Sequence, residues 1–262
     1  MPHEISTRLV FFSGTFMVIA LWELIAPRRQ LTTAKGRRWV TNLSMVAIDT
    51  VIVRLLFPSL PPGIALIAGE RGWGLLNTLD LPPVVSFIAG LVMLDFAIYL
   101  QHVLFHRIPI LWRIHRMHHT DLDLDVTSGN RFHPLEIVIS VGIKMGAIIL
   151  TGAPALSVLA FEIILNATSM FNHGNIVIPQ PVDRWLRLLV VTPDMHRVHH
   201  SVIPRETNSN YGFNLPWWDR ICGTYREQPE AGHEGMTIGL KEFRDPNALT
   251  LPRLLMLPFN IK

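Results

Sequence analysis

Five apolar stretches dominate this sequence, at about residues 9–26, 40–60, 83–105, 135–152 and 154–172. A helix needs about 20 apolar residues to cross the hydrocarbon layer of a bilayer, and these stretches are near that length. The chain is 49% hydrophobic and only 16% charged, whereas soluble proteins carry about 25% charged residues. The sequence therefore predicts an all-α, multi-span membrane helical bundle with a soluble part.

Basic residues after the first stretch predict the orientation of the bundle. Residues 28–38 contain five Arg and Lys residues and no acidic residue, which is typical of a cytoplasmic loop. The first stretch is expected to stay in the protein, because it lacks the small-residue cleavage site of a signal peptide. With residues 61–63 and 68–82 predicted as loops, the third stretch runs from outside to inside. The segments after residue 105 are therefore expected on the cytoplasmic side.

Ten of the twelve histidines lie between residues 102 and 200 and follow a repeated pattern. One pair has the spacing H-x-x-x-H, two runs have the spacing H-x-x-H-H, and two histidines stand alone. Residues i, i+3 and i+4 share one face of a helix, and neutral imidazole is a good ligand for iron, zinc, copper and nickel. The pattern predicts a cytoplasmic, histidine-rich metal-binding cap that includes the clustered residues His102, His106, His115, His118, His119, His196, His199 and His200. The isolated His133 and His173, taken alone, are equally well explained as buried histidines held by hydrogen bonds. His3 and His233 lack such partners and are expected at the surface.

The last two apolar stretches are predicted to form a hairpin that enters the bilayer and returns, at about residues 135–172. His133 and His173 stand at its two feet, so the hairpin would bring these isolated histidines close to the clustered ones. Lys144 interrupts the first arm and both arms are short, so a re-entrant hairpin is an alternative.

Ten imidazoles exceed the needs of one ion, since a zinc site uses about four ligands. The number favours two metal ions in one pocket, each with an open position for a small molecule such as O₂. Zinc-dependent hydrolysis is an alternative, because carboxylates that could serve as bases lie close in sequence: Asp121, Asp123, Asp125 and Asp194. The single cysteine excludes an intrachain disulfide and a cysteine-based metal site. The pI is near 9.3, but the basic residues lie beside apolar stretches. They are explained better by the orientation of the protein in the membrane than by nucleic-acid binding.

Four polar residues are candidates for orienting the metal-binding imidazoles by accepting their second N–H. Asp95 and Tyr99 lie on one helical stripe with His102, and an unpaired carboxylate at that depth would be costly. Glu136 follows His133 by three residues and Asp194 precedes His196 by two. A helix-capping or solvent-exposed role explains these two carboxylates equally well. In the second apolar stretch, Asp49 and Arg54 are interpreted as a buried polar pair.

The histidine motifs combine with other short motifs into a pattern that resembles the fatty acid hydroxylase/sterol desaturase superfamily. The motifs are His-Pro-Leu-Glu at 133–136, Asn-His-Gly-Asn at 172–175, Asn-Ser-Asn-Tyr-Gly at 208–212 and Trp-Asp-Arg-Ile-Cys-Gly-Thr at 218–224. The resemblance covers about residues 90–226. It implies that all ten histidines bind two iron ions, with zinc as a substitute in recombinant material, and that O₂ oxidises a lipid.

Because the chain has no room for a fused cytochrome b5-like domain, electrons are expected from a separate cytochrome b5-like or ferredoxin-like protein. The 218–224 motif is interpreted as a packed segment that anchors at the membrane interface and not as a catalytic one.

The sequence thus predicts an integral membrane di-iron oxygenase that hydroxylates, or desaturates, a C–H bond of a lipid or sterol-like substrate. Its expected partners are this lipid, O₂, the electron donor and the membrane, but no nucleic acid. The predicted regions are a transmembrane region at 1–82, the di-iron domain at 83–226 and a cytoplasmic tail at 227–262. A histidine-rich metal-binding or metal-transporting protein and a zinc-dependent membrane hydrolase are the alternatives.

Overall fold

The computed structural model describes residues 4–57 and 59–260, which are helical with no strand among them. The long helices are α1 (Glu4–Ile25), α2 (Lys35–Leu56), α3 (Pro61–Glu70), α5 (Pro83–Arg107), α7 (Pro134–Thr151) and α8 (Ala155–His173). The short ones are α4 (Leu75–Thr78), α6 (Pro109–His115), α9 (Gln180–Leu186), α10 (Pro193–His199), α11 (Pro204–Thr207), α12 (Trp217–Ile221), α13 (Gly232–Gly235) and α14 (Leu251–Met256). Single 3₁₀ turns lie at His118–Thr120, Ser128–Asn130, Pro246–Ala248 and Leu257–Phe259.

Five helical segments among the described residues are long and apolar enough to cross a membrane: Glu4–Ile25, Lys35–Thr78, Pro83–Arg107, Pro134–Thr151 and Ala155–His173. Many of their large apolar side chains face outward, such as Leu9 and Phe11 on α1 and Val84 and Ile88 on α5. In water such a surface would be unfavourable, but in lipid it is solvated. The predicted all-α, multi-span membrane bundle is therefore confirmed.

The loops predicted between the second and third spans were wrong in part. Pro61 and Pro62 occupy the first positions of α3, where a missing backbone N–H costs nothing because those groups have no partner inside a helix. Ala65 and Ala68 of α3 are buried, and the helix packs against α7 and α8. The Pro-Pro-Gly run thus begins a helix instead of forming a turn.

The residues predicted to form a hairpin are the two consecutive helices α7 and α8. Gly152 ends α7 with φ 69°, a left-handed conformation that glycine adopts without steric cost. Lys144 does not interrupt α7, because its ammonium lies 2.6 Å from Oε1 of Glu162 on α8. Oε2 of the same carboxylate is 2.6 Å from Arg8 of α1. Arg8 also binds Glu4 at 3.0 Å, so two positive and two negative charges compensate one another, as charges inside a membrane usually must.

A cap of short helices and loops covers one end of this bundle. Arg38 at the start of α2 binds Asp121 at 2.8 Å and Asp125 at 2.7 Å in the loop after α6. The backbone N–H and hydroxyl of Thr33 donate to Asp123 in the same loop, at 2.8 Å and 2.6 Å. The basic connection between α1 and α2 therefore lies on the same side as the histidine-rich segments, as the alternation of spans predicts.

Candidate metal centre

Nine of the ten predicted ligands assemble into two groups of imidazoles, each with one ring nitrogen per residue within 4.8 Å of the others. The five-histidine site consists of His102, His106, His115, His119 and His199. The four-histidine site consists of His118, His173, His196 and His200. All are buried except His106, which is half-buried.

The two sites are adjacent because neighbouring histidines in the sequence belong to different sites. His118 and His119 each enter a different site, and so do His199 and His200. The rings of His119 and His200 stack across the boundary with centroids 4.5 Å apart. Each H-x-x-H-H run therefore contributes to both sites, so the two sites lie side by side in one pocket.

The four-histidine site is arranged so that lone pairs point at one another. Nδ1 of His173 is 2.7 Å from the carbonyl of Ser169, and Nδ1 of His118 is 3.2 Å from the carbonyl of Arg131. A carbonyl accepts only, so each Nδ1 carries the proton and each Nε2 presents a lone pair. These two Nε2 atoms are nevertheless only 3.1 Å apart. Two facing lone pairs repel, and a cation between them turns that repulsion into coordination.

The nitrogen separations match the edges of a coordination sphere. Nε2 of His173 lies 3.1 Å from Nε2 of both His196 and His200, and the latter two are 3.3 Å apart. Ligands at about 2.1 Å from an ion are about 3.0 Å apart at right angles and about 3.4 Å apart at tetrahedral angles. The donor set of neutral nitrogens suits iron or zinc.

The five-histidine site is built in the same way. Nδ1 of His102 lies 2.7 Å from the carbonyl of Tyr211, and Nδ1 of His199 lies 2.7 Å from that of Ser209. Their Nε2 atoms are buried without a hydrogen-bond partner, so they remain free for an ion. Nε2 of His115 and Nε2 of His119 are 3.2 Å apart. This site also fits a metal ion.

Burial keeps the cap histidines in the form that binds metals. Loss of hydration lowers the pKa of His118, His119, His196 and His200 well below 6.5, and neighbouring imidazoles lower it further. Burial likewise lowers the pKa of His199 to about 3. These rings are therefore neutral at physiological pH, as metal ligation requires.

His133 is not brought into either site, contrary to its predicted role. Its Nδ1 accepts a hydrogen bond from the N–H of Leu135 at 3.1 Å and caps α7. Its Nε2 lies 3.1 Å from the carbonyl of Leu255, in the segment that includes α14. Both nitrogens are therefore engaged with backbone. Of the two histidines at the hairpin feet, only His173 belongs to a histidine site.

Three of the four predicted orienting residues have other partners. Asp95 accepts a hydrogen bond from Nε1 of Trp218 at 2.7 Å. It does not contact His102, because seven residues of helix separate the two along the axis by about 10 Å. The hydroxyl of Tyr99 is bonded to Thr224 at 2.9 Å. Asp194 pairs with Arg197 and Arg28, since residues two apart on a helix do not face each other.

Glu136 does reach a ligand, with Oε1 2.7 Å from Nδ1 of His115. His233 is buried and lies 3.6 Å from Asp194, so its expected surface position was wrong, while His3 lies outside the described residues. Asp49 and Arg54 form no ion pair within the described residues, and Arg54 is exposed.

The main-chain carbonyls that orient four rings were not predicted, although a signal for two of them was present. Ser209 and Tyr211 belong to the Asn-Ser-Asn-Tyr-Gly motif, which had been assigned no role. The buried carboxylate of Asp219 holds this loop in place by accepting the N–H groups of Tyr211 and Gly212, each at 2.8 Å. The 218–224 motif thus supports the metal centre through the buried Asp219, although residues 220–223 are exposed and not packed as expected.

A cavity of about 370 Å³ leads from the five-histidine site into the membrane bundle. His102 and His115 border it at the cap end, and Arg8, Lys144 and Glu162 border it deeper in the bundle. Between them its wall is largely apolar, with Val46, Ile98, Phe105, Phe132, Val141, Leu165 and Phe213. The cavity therefore offers an apolar chain a place beside the five-histidine site.

The family model described as fatty acid hydroxylase matches residues 87–224, which is more than half of the chain and includes every ligand of both sites. The chain belongs to the fatty acid hydroxylase family. The resemblance seen in the motifs is thereby confirmed.

Three relatives share this family character. The ornithine lipid hydroxylase OlsE of Rhizobium tropici is 33% identical over 230 residues, covering 84% of this chain and 67% of that protein. Alkylglycerol monooxygenase of Homo sapiens is 31% identical over 158 residues, covering 60% and 34%. The Delta(7)-sterol 5(6)-desaturase erg3A of Aspergillus fumigatus is 26% identical over 227 residues, covering 84% and 59%. The chain thus spans about two thirds or less of these relatives' lengths, and no solved structure matches it.

Proposed function

We propose that this chain is a membrane-bound, O₂-dependent di-iron oxygenase that hydroxylates a C–H bond of a lipid. The observation that carries the proposal is the position of two adjacent sites of neutral imidazoles at the end of an apolar cavity. Iron ions in these sites would supply the activation of O₂ that an unreactive C–H bond requires. The reaction consumes O₂, two electrons and two protons per C–H bond, and it forms the alcohol and one water.

The protein's own residues bind the substrate, hold the ligands and exclude water. The cavity wall removes the lipid chain from water at about 0.8 kcal/mol per buried CH₂, which favours a long apolar portion over a short one. The carbonyls of Tyr211, Ser209, Ser169 and Arg131 fix ring orientation, and Glu136 fixes that of His115. Desaturation of the lipid is the second candidate, because one relative is named a desaturase.

Zinc-dependent hydrolysis receives less support from the site. Each of the four aspartates that could serve as a base is engaged elsewhere: Asp121 and Asp125 with Arg38, Asp123 with Thr33, and Asp194 with Arg197. A metal carrier would need ligands along a path through the membrane. Here the histidines form two compact sites in the cap, with several Nδ1 atoms committed to the backbone, which favours holding an ion over passing it on.

The activity is tested by supplying ¹⁸O₂ to the iron-loaded, reduced protein in lipid nanodiscs with a lipid extract of its host. An ornithine lipid is the first defined substrate to try, because the OlsE relative is named for it. A product carrying ¹⁸O supports hydroxylation. A product lighter by two hydrogens without label supports desaturation. Absence of O₂ consumption with every lipid would contradict the oxygenase function and favour the metal-carrier alternative.

The cap is proposed to face the cytoplasm, where a separate cytochrome b5-like or ferredoxin-like protein would supply electrons. The five Arg and Lys residues of 28–38 support this orientation. A cysteine at exposed Lys241, in a protein with Cys222→Ser, should react with an impermeant maleimide only in inside-out vesicles. Reaction in right-side-out vesicles would contradict both the orientation and a cytosolic donor.

A further inference from the structure

One face of α2 lines the cavity next to the metal centre and carries a carboxylate. Val46, Asp49, Thr50 and Val53 border the cavity at helical spacing, as residues on one side of a helix do. Asp49 is only 7% exposed. Its Oδ1 is buried without a hydrogen-bond partner, and no ion pair within residues 4–57 and 59–260 includes it. An ionisable side chain inside a membrane bundle is costly and is usually paired or functional.

A second carboxylate oxygen without a partner borders the same cavity. Oε1 of Glu136 is bonded to Nδ1 of His115, but Oε2 is buried without a hydrogen-bond partner. Glu136 on α7 is close enough to Asp49 on α2 for the two charges to interact, and both residues line the cavity with His102 and His115. Two carboxylate oxygens without a hydrogen-bond partner, Oδ1 of Asp49 and Oε2 of Glu136, therefore border the end of the cavity beside the five-histidine site.

The deeper end of the cavity is lined by more basic than acidic groups. Arg54 of α2 borders the cavity there, is exposed, and forms no ion pair among the described residues. Lys144 and Arg8 both bind Glu162. Lys144 lies about 12 Å from Glu136 along α7, since eight residues separate them. Beside the five-histidine site, the charged groups that retain an oxygen without a hydrogen-bond partner are therefore both negative, namely Asp49 and Glu136. The ligand that fits there carries a positive charge with N–H donors.

We propose that Asp49, together with Oε2 of Glu136, binds an ammonium group of the substrate. The enzyme then acts on a lipid that bears a free amino group, and it oxidises a carbon close to that group while the apolar chain occupies the rest of the cavity. This inference rests on the proposed lipid oxygenase function and adds the substrate class and the residue that selects it. Asp49 is a positioning residue, because it binds the ammonium group and not the carbon that is oxidised.

The test measures binding to zinc-loaded protein in nanodiscs, where no redox reaction interferes. The probes are N-palmitoyl-ornithine and the same lipid with its side-chain amine acetylated, so that only the positive charge differs. The wild-type protein should bind the free amine at least tenfold more tightly than the acetylated form. Asp49→Asn should reduce this preference to less than threefold and leave binding of the acetylated lipid unchanged. Asp80→Asn, at an exposed position, should behave as the wild type.

Folding and metal content are measured for the same variants. Asp49→Asn should retain both metal ions and should be at least as heat-stable as the wild type, because it removes a buried charge that lacks a partner. A structural carboxylate would instead lose stability and bind both lipids less tightly.

Equal binding of the two probes by the wild type, or binding of neither, would overturn the inference. ¹⁸O incorporation from a whole lipid extract in the same nanodiscs then shows whether the oxygenase function itself stands.

Discussion

At the scale of single residues, the metal centre depends on which group each imidazole donates to. The spacing of the histidines was readable from the sequence because i, i+3 and i+4 positions share a helix face. The groups that accept the Nδ1 protons could not be predicted from the sequence. Tyr211, for example, follows His102 by 109 residues, and its main-chain carbonyl is like that of any other residue. For the same reason His133 was assigned as a ligand, although its two nitrogens are used by Leu135 and Leu255.

The role of His133 can be separated from that of a ligand by substitution. His133→Asn should keep full metal content and stability, because asparagine is one of the most favourable residues at the N-cap of a helix. His133→Ala should lose about 1 kcal/mol of stability through the missing cap but retain both metals. His173→Ala is the comparison and should lose metal from the four-histidine site. Metal analysis with thermal denaturation checks this, and metal loss in His133→Asn would restore His133 as a ligand.

Glu136 is expected to affect the metal centre through His115. Glu136→Gln keeps the shape of the side chain but removes the charge that makes the imidazole a stronger donor. Substitutions of such partners cost about 10–100-fold in metal affinity or activity. Zinc affinity measured by competition with a chelator should fall within this range, while Glu242→Gln at an exposed position should have no effect. Unchanged affinity and activity would show that Glu136 does not orient His115.

At the scale of helices, close packing of the cap on α8 sets the position of the four-histidine site. The 3₁₀ turn at Ser128–Asn130 lies directly on α8, and the hydroxyl of Ser169 donates to the carbonyl of Gly129 at 2.6 Å. Ser169 in turn accepts from His173 through its carbonyl. The sequence indicated α8 by its apolar length, but it did not indicate this contact, which joins residues 40 apart.

Gly129→Ala should disturb the four-histidine site from outside it. An added Cβ would lie 2.2 Å from the carbonyl oxygen of Ser169, so the backbone of one element must move. We expect lower metal content together with lower thermal stability. Gly142→Ala is the matched control, because nothing lies within 4 Å of its added Cβ, and alanine favours a helix over glycine by about 1 kcal/mol. Equal metal content in both variants would contradict the role given to this contact.

The charged contact among α1, α7 and α8 should be important for stability. Glu162→Gln leaves Lys144 and Arg8 inside the bundle without their shared carboxylate, and loss of one partner from a buried ion pair costs roughly 3 kcal/mol. The melting temperature in detergent should fall clearly, whereas Glu227→Gln at an exposed position should leave it unchanged. An unaltered melting temperature for Glu162→Gln would show that the three charges are solvated.

At the scale of the whole molecule, spans and ligands were predictable because both depend on short-range periodicity. The features that were missed depend on contacts distant in sequence, such as Asp95 with Trp218 or His233 with Asp194. The helix at Pro61–Glu70 was missed because Pro-Pro-Gly is typical of turns as well as of helix starts. The segment predicted as a tail also packs on the bundle, since Leu254 and Met45 share one buried cluster.

The central claim is that two adjacent sites in one chain hold two iron ions that act together. It is tested most directly by titrating the metal-free protein in nanodiscs with Fe²⁺ without oxygen, and then measuring O₂-dependent lipid oxidation at each iron content. We expect activity to remain near zero up to about one iron per chain and to reach its maximum at two, because the proposed mechanism requires an iron ion in each site to activate O₂. Full activity at one iron per chain would contradict the claim.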